Sequence, residues 1–323
     1  MLNSKGSSRE LQSFLLALDF LRERDEFKTV ELHRHLRCGY SEVCRVIDGL
    51  ILLKVIEVAG ENPRKYRRID SEERRCYGNI PVVIGYDERG NLLTDNLSRA
   101  PHVLVGGMSG YGKSVFLKNI IFDLTLGFSS DEMKLLLFDL KMVEFDEANP
   151  IGEVVRSIDA AIEALKKLVD IMNERRADMD RLGIVGSLSR NGTGGLEEYN
   201  AKSGLKLPKI VIIIDEYAEL VMQSNEAAEL VYKLALGGHG TGIHMILASQ
   251  RASEEIFPPE LRAAIPTRAS FRLENEEDSH LILGSVGAEK LHDSGEMLYS
   301  SIWYGSAPIK VKVPYNKGKD STE

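Results

Sequence analysis

The sequence predicts an α/β protein with a mainly parallel sheet covered by helices on both faces, preceded by a small domain of three helices and a hairpin. Three observations carry that prediction. From residue 79 onward, apolar runs of strand length (HVLVGG, KLLLFDL, KIVIIID, HMILAS, RASFRL) alternate with helical stretches. Continuous apolar strands of this kind suit a sheet buried on both faces. Ahead of residue 70 the apolar positions recur at helical spacing instead. Between the two regions, DSEERRCYGN at 70–79 is charged and reads as a linker. The expected organisation is a winged-helix domain over 1–69, a linker over 70–78, the α/β domain over 79–315 and a polar tail over 316–323.

SSRELQSFLLALDFLRER, 7–24, is an amphipathic helix with Leu11, Phe14, Leu15, Leu18 and Leu21 on one face. TVELHRHL, 29–36, is a second helix. CGYSEVCRVIDGLILLKVI, 38–56, is a third, with Val43, Val46, Ile47 and Leu50 at helical spacing. EVAGENPRKYRRI, 57–69, is a hairpin whose turn holds Gly60, Asn62 and Pro63. Three helices followed by a hairpin form a winged-helix pattern. Its wing carries Arg64, Lys65, Arg67 and Arg68, a basic cluster suited to a phosphate backbone. Arg45 is the basic group of the candidate recognition helix, where Ser41 and Glu42 fill places better suited to amide or basic groups. A small helical domain that only makes contacts is the alternative.

In the α/β region, helices are expected at 113–126, 158–182, 216–236 and 275–283. The glycine-rich stretch 183–207 reads as a surface excursion. The strand HVLVG runs into Gly107-Met108-Ser109-Gly110-Tyr111-Gly112-Lys113-Ser114, and KSVFLKNIIFDL then opens a helix. This is the G-x-x-x-x-G-K-[ST] phosphate loop in its required strand–loop–helix context. Glycines let successive N–H groups converge on phosphate oxygens, and the helix start adds its positive dipole end. Gly107, Ser109, Gly110, Tyr111, Gly112, Lys113, Ser114 and Val115 are therefore the candidate ATP-binding residues. Lys113 is expected on the β- and γ-phosphates and the Ser114 hydroxyl on Mg²⁺.

IVIIIDE, 210–216, is an apolar strand ending in two acids. Asp215 is the candidate holder of the Mg²⁺ water shell, and Glu216 the candidate base for the attacking water. HMILASQR, 244–251, is the next strand, and Gln250 at its end is positioned to sense the γ-phosphate. A water-activating glutamate favours an ATPase over a small-molecule kinase.

Composition bounds the rest. The 323 residues are 43% hydrophobic and 28% charged with a net charge of −8, the balance of a globular protein with a sizeable core. The first 78 residues are slightly basic and the remainder holds the acidic excess. The total does not exclude DNA, because a ring can set its few basic groups around a pore. Three cysteines (Cys38, Cys44, Cys76) fit no zinc spacing and read as reduced thiols. The longest apolar stretches, LLLF and IVIII, are too short to span a bilayer, and the N-terminus shows no signal peptide. The expectation is a cytoplasmic protein with no direct membrane anchor.

Taken together, these residues resemble the motor domain of the FtsK/SpoIIIE family of DNA translocases over roughly 79–315. The likeness runs through residues 79–115, FDLKMVEF (138–145), MNERRADMDRLG (172–183), EEYN (197–200), IVIIIDEYAEL (210–220), TGIHMILASQR, AAIPTRASFRL and GAEKLHDSGEMLY in order. HLRCGYSEVCRVIDGLILLKVIEVAG, 35–60, is similar to the family's winged-helix gamma module, which here comes first. The resemblance implies a RecA-like P-loop ATPase in a homohexameric ring that threads double-stranded DNA through its pore, with ATP between neighbours. In place of the family's usual arginine ahead of the glycine-isoleucine-histidine stretch stands His239, and Arg251 and Arg268 are the candidates for a finger acting in trans. With no membrane-spanning stretch and no long linker in view, the expectation is a compact, rearranged member. Two other readings stay open: an ATPase that energises protein export, and a nucleotide-dependent assembly switch without translocation.

Overall fold

The computed structural model describes residues 24–52, 56–61, 64–68, 80–142, 152–184 and 195–313, with Ser13, Leu16, Ala17, Phe20, Leu21 and Phe145 besides. The expected linker, the expected tail, Cys76 and the turn residues Asn62 and Pro63 lie outside the described residues.

The N-terminal unit begins with helical positions at Ser13, Leu16, Ala17, Phe20 and Leu21. It continues through strand β1 (Glu26–Lys28), helix α1 (Thr29–Leu36), helix α2 (Tyr40–Leu52), β2 (Ile56–Glu61) and β3 (Arg64–Arg68). The three strands form an antiparallel sheet in the order β1-β3-β2. Sequence periodicity misses β1, which is three residues long and too short to show an alternation. The apolar side chains do what their spacing requires. Val43, Val46, Ile47 and Leu50 bury one face of α2 against Leu32, Phe27, Ile56 and Tyr66. Phe27 stacks on Tyr66 with ring centroids 5.3 Å apart. On the first helix Ala17, Phe20 and Leu21 are buried and Leu16 is exposed. Of the predicted stripe, Leu21 alone lies among the described residues.

The α/β unit holds a ten-stranded sheet in the order β5-β4-β13-β12-β11-β6-β10-β9-β7-β8. Its strands are β4 (Pro81–Tyr86), β5 (Leu92–Asn96), β6 (His102–Gly106), β7 (Met133–Phe138), β8 (Gly152–Val155), β9 (Lys209–Ile214), β10 (Ile243–Ser249), β11 (Thr267–Ser270), β12 (Glu296–Ser301) and β13 (Gly305–Lys312). From β11 to β8 the pairing is parallel, and from β11 to β5 it is antiparallel. Helices α3 (Lys113–Gly127), α4 (Ile158–Arg181), α5 (Gly195–Ser203), α6 (Tyr217–Gln223), α7 (Asn225–Gly237), α8 (Pro259–Ala264) and α9 (Glu276–Leu283) complete the unit.

Two apolar layers sandwich the sheet. Ile210, Ile212 and Ile214 point to the layer that holds α4, α6 and α7, while Val211 and Ile213 point to the layer with Phe116, Leu117, Ile120 and Leu124 of α3. That alternation follows from the two-residue period of a strand. Each such fully buried side chain stabilises the fold by about 1.5–3 kcal/mol. The single helix expected at 216–236 is two, broken at Ser224, whose hydroxyl accepts the Ala227 N–H and caps α7. The expected excursion 183–207 is structured in part. Helix α5 lies inside it, and Leu196 and Tyr199 bury against Met179 and Ile184. On β4 the side chains also divide: Val82 and Ile84 enter the α3 layer, and Val83 enters the core of the N-terminal unit.

Candidate functional site

Strand order positions the site. β10 lies between β6 and β9, with Ser249 opposite Gly106 and Leu247 opposite Ile214. The ends of these three strands therefore deliver the phosphate loop, the acidic pair and Gln250 to one crevice outside the carboxyl edge of the sheet. Such edges are where α/β sheets bind ligands.

The loop between β6 and α3 has its backbone sorted into inward and outward groups. The Gly107 N–H donates to the Ser249 carbonyl at 3.2 Å and the Met108 N–H to the Arg272 carbonyl at 2.9 Å. The Tyr111 carbonyl accepts from the Gly295 N–H at 2.8 Å, and the Gly110 carbonyl accepts from the Ser294 hydroxyl at 3.0 Å. Two carbonyl oxygens are thereby held by the 294–295 turn, an arrangement that frees the loop's remaining N–H groups for an anion. Gly107 and Gly112 adopt φ of 158° and 112°. A Cβ on Gly107 would come within 2.6 Å of Phe271 Cβ, and one on Gly112 within 3.1 Å of the Gly295 backbone. Ser109 and Gly110 are exposed, Ser114 is half-buried, and Val115 packs against the α3 layer.

Tyr111 does not project away from its own chain. Its half-buried ring packs on the α3 layer, and the Arg272 guanidinium lies 5.6 Å from the ring centroid. Arg272 is itself held by the Leu291 carbonyl at 2.9 Å.

Lys113 is 3% exposed. Its Nζ donates to the Asp215 carbonyl at 2.6 Å and to Asp215 Oδ1 at 3.2 Å. Glu216 is 6% exposed, and its two oxygens differ. Oε1 accepts from the Ser249 hydroxyl at 2.7 Å and from the Gln250 N–H at 3.0 Å. Oε2 accepts from Lys141 Nζ at 3.1 Å. Gln250 thus touches Glu216 through its backbone. Ser114 and Asp215 offer a hydroxyl and a carboxylate, hard oxygen donors of the kind Mg²⁺ takes. Among the described residues no group of three or more His, Cys, Asp or Glu side chains gathers to hold a metal ion.

The remaining predicted residues lie elsewhere. Arg251 is exposed beside Met222, with Nη1 3.4 Å from Sδ. Arg268 donates to the carbonyls of Ile282 and Arg262 of its own chain, and burial with the Arg262 charge lowers its pKa to about 10. His239 sits at the opposite end of the sheet from the phosphate loop. Its Nε2 is 2.8 Å from the Ser98 carbonyl, and its ring lies 5.8 Å from that of His244. In the N-terminal unit Lys65 is exposed. Arg67 is paired with Glu57 at 2.5 Å and Arg68 with Asp25 at 2.9 Å. The side chains of Arg45, Arg64, Ser41 and Glu42 lie outside the described residues.

Lys141, Ser249, Arg272 and Ser294 belong to no motif that marks them for a role. The first two contact Glu216 and the last two support the loop. The sole hint lay in FDLKMVEF, whose lysine follows a strand that turns out to neighbour the acidic one.

The chain is similar in sequence and fold to known proteins. The FtsK/SpoIIIE family profile matches residues 66–254. The DNA translocase FtsK of Borreliella burgdorferi is 37% identical over 238 residues, covering 72% of this chain and 30% of that protein. The DNA translocase FtsK of Streptococcus pyogenes serotype M1 is 37% identical over 231 residues, covering 69% of this chain and 29% of the relative. This chain thus spans less than a third of the length of those relatives. Among solved structures, the pCW3 conjugation coupling protein TcpA with ATPγS aligns with a TM-score of 0.62 at 24% identity, covering 83% of this chain and 80% of that one. The cytoplasmic domain of the Thermomonospora curvata type VII secretion ATPase EccC aligns with a TM-score of 0.62 at 22% identity, covering 76% and 30%. Both carry the P-loop ATPase fold. No helix among the described residues is long and apolar enough to cross a membrane.

Proposed function

The chain belongs to the FtsK/SpoIIIE family, with the family's ATPase motor in its α/β unit, and from that premise we propose that it hydrolyses ATP to move double-stranded DNA. The relatives named as DNA translocases support the substrate. The observation that carries the chemistry is the convergence of Lys113, Asp215 and Glu216 in one crevice, with Lys113 and both acids buried. Lys113 and the loop N–H groups bind and orient the phosphates of ATP. Ser114, and Asp215 through water, would hold Mg²⁺, which would neutralise phosphate charge when bound.

Glu216 takes the proton of the attacking water as that water's oxygen bonds to the γ-phosphorus and the bond to the ADP oxygen breaks. Both lone pairs of Oε1 already accept hydrogen bonds, from Ser249 and Gln250. Oε2 accepts from Lys141 with one and keeps the other for the proton. Gln250 links the base to the end of β10 and relays a change at one to the other.

Six copies in a ring, with duplex in the pore, complete the reading. Arg251 is the better candidate for a trans-acting finger, because its guanidinium is exposed while that of Arg268 is tied to carbonyls of its own chain. The N-terminal unit is read as a winged helix that loads or binds DNA, supported by its helices and its β1-β3-β2 sheet, in which β2 and β3 pair antiparallel. The test is turnover of ATP with and without duplex DNA, together with displacement of a third strand from triplex DNA. We expect several-fold stimulation by duplex, ATP-dependent displacement, and loss of both in Lys113→Ala. Turnover indifferent to duplex overturns the DNA reading. Stimulation by a secreted peptide instead would mark an export motor, and slow hydrolysis with nucleotide-dependent assembly would mark a switch.

A further inference from the structure

We propose that Lys141 is a positioning residue for ATP hydrolysis, holding Glu216 so that the free lone pair of Oε2 meets the attacking water. The inference rests on Glu216 being the base and adds the group that aims it.

The placement follows from strand register. β7 and β9 are parallel neighbours with Phe138 opposite Ile214. Lys141 stands three residues beyond Phe138 and Glu216 two beyond Ile214, so the two side chains leave adjacent strand ends and meet at 3.1 Å. The turn that presents Lys141 is built from within. Asp139 is 1% exposed, and its Oδ2 accepts the Phe145 N–H at 3.0 Å. Its own N–H donates to the Val155 carbonyl, and its carbonyl accepts from Met142. Met142 takes a positive φ of 57° to close the turn.

Each of the tandem acids therefore has its own ammonium. Lys113 holds Asp215 and Lys141 holds Glu216. The pairs are not equivalent. Lys113 is buried with its acid, whereas the Lys141 side chain is 40% exposed and reaches a carboxylate that is 6% exposed. Lys141 is the single donor to Oε2 among the described contacts, while the Ser249 hydroxyl and Gln250 N–H fix Oε1. Ser249 has one proton to give. It goes to the carboxylate at 2.7 Å rather than to the Arg251 carbonyl at 2.9 Å, because the charged acceptor is the stronger. With Oε1 pinned, the torsion of the carboxylate depends on the hold at Oε2. Without Lys141 the base turns about Oε1, and a misplacement of about 1 Å costs up to about a hundredfold in rate.

The test uses the full chain with saturating duplex, and compares Lys141→Met, Lys141→Gln, Lys141→Arg, Glu216→Gln and the Lys141→Met/Glu216→Gln pair. ATPase kcat and KM are measured beside the dissociation constant of a fluorescent ATP analogue and the thermal midpoint. We expect Lys141→Met and Lys141→Gln to lower kcat by about tenfold to a hundredfold with analogue affinity within about twofold, and Lys141→Arg to restore most of kcat. Adding Lys141→Met to Glu216→Gln should cost nothing further. An unchanged kcat, a loss of analogue affinity in step with kcat, or no rescue by arginine overturns the positioning role. A kcat for Glu216→Gln equal to that of the parent sinks the base assignment itself. If the methionine variant melts below the assay temperature, glutamine and arginine carry the comparison.

Discussion

Lys113 bonds Asp215 twice, to the main-chain carbonyl at 2.6 Å and to the carboxylate at 3.2 Å, across 102 positions of sequence. One lysine thus locks the phosphate loop onto the end of the acidic strand. The pair is buried on both sides, at 3% and 5% side-chain exposure. Breaking a buried pair by removing one partner typically costs about 3–5 kcal/mol. Lys113→Ala is therefore expected to lower stability even without nucleotide, besides abolishing ATP binding. Urea unfolding without nucleotide checks this. A midpoint equal to that of the parent contradicts it.

Tyr111 gives a second prediction. Its ring packs on the chain's own α3 layer under Arg272. Arg272 also accepts the loop through its carbonyl, bonded to the Met108 N–H. Tyr111→Ser should then weaken the local structure, with the cation–π part worth about 0.5–1 kcal/mol. Nucleotide affinity should stay within a few-fold, and Tyr111→Phe should behave as the parent. Calorimetric binding of ATPγS and a thermal melt measure both. Loss of assembly at unchanged monomer stability would place the ring at an interface.

Acid should destabilise the fold through the far end of the sheet. His102 is driven from 6.5 to about 3 by burial and the neighbouring His239. His244 is driven well below its ordinary value by burial, His239, His102 and Lys209. Each binds a proton in the unfolded chain near 6.5 but not in the folded one. Their contribution is present above that pH and is lost as pH falls from about 6.5 toward 3. Asp123 opposes them. Its carboxyl, raised to about 7 by burial, accepts the Val83 N–H. It holds its proton longer in the folded chain, so its contribution is lost as pH rises from 3.8 to about 7. His102→Asn, whose amide oxygen can still accept the Met245 N–H, should flatten the fall in stability between pH 7 and 5. Asp123→Asn should steepen it. Denaturation midpoints across that range decide, and slopes equal to the parent's in both variants contradict the assignment.

The sequence revealed different parts of the structure unequally. Strands β6, β7, β9 and β10 are legible because their sides face two apolar layers, which forces unbroken runs such as Ile210–Ile214. Lys113, Asp215 and Glu216 are legible because each type sits at a fixed place after such a run. What stays hidden depends on register between distant segments. Lys141 reaches Glu216 because Phe138 pairs with Ile214, and no local spacing encodes that pairing. Ser249 reads as strand punctuation until Gly106 stands beside it. Helix α5 hides in a glycine-rich stretch because two side chains, Leu196 and Tyr199, supply most of its burial. The wing arginines read as a basic cluster, yet Glu57 and Asp25, which answer them, stand ten and 43 positions away.

Those wing pairs set the last prediction. Arg67 and Arg68 each engage an acid of their own unit, Glu57 and Asp25, at 47% and 85% side-chain exposure. Exposed pairs of this kind are worth about 0–1 kcal/mol, so phosphates can displace them. Lys65 faces solvent on the same hairpin. If the hairpin meets a DNA backbone, Glu57→Gln should tighten duplex binding by a few-fold at low salt, because Arg67 no longer has to leave a carboxylate. Lys65→Ala should weaken binding equally across sequences and reduce the slope of log affinity against log salt by about one. Fluorescence anisotropy with two unrelated duplexes at several salt concentrations measures both effects. Unchanged affinity in both variants would leave the hairpin a solvated charged edge and move the DNA contact elsewhere in the chain.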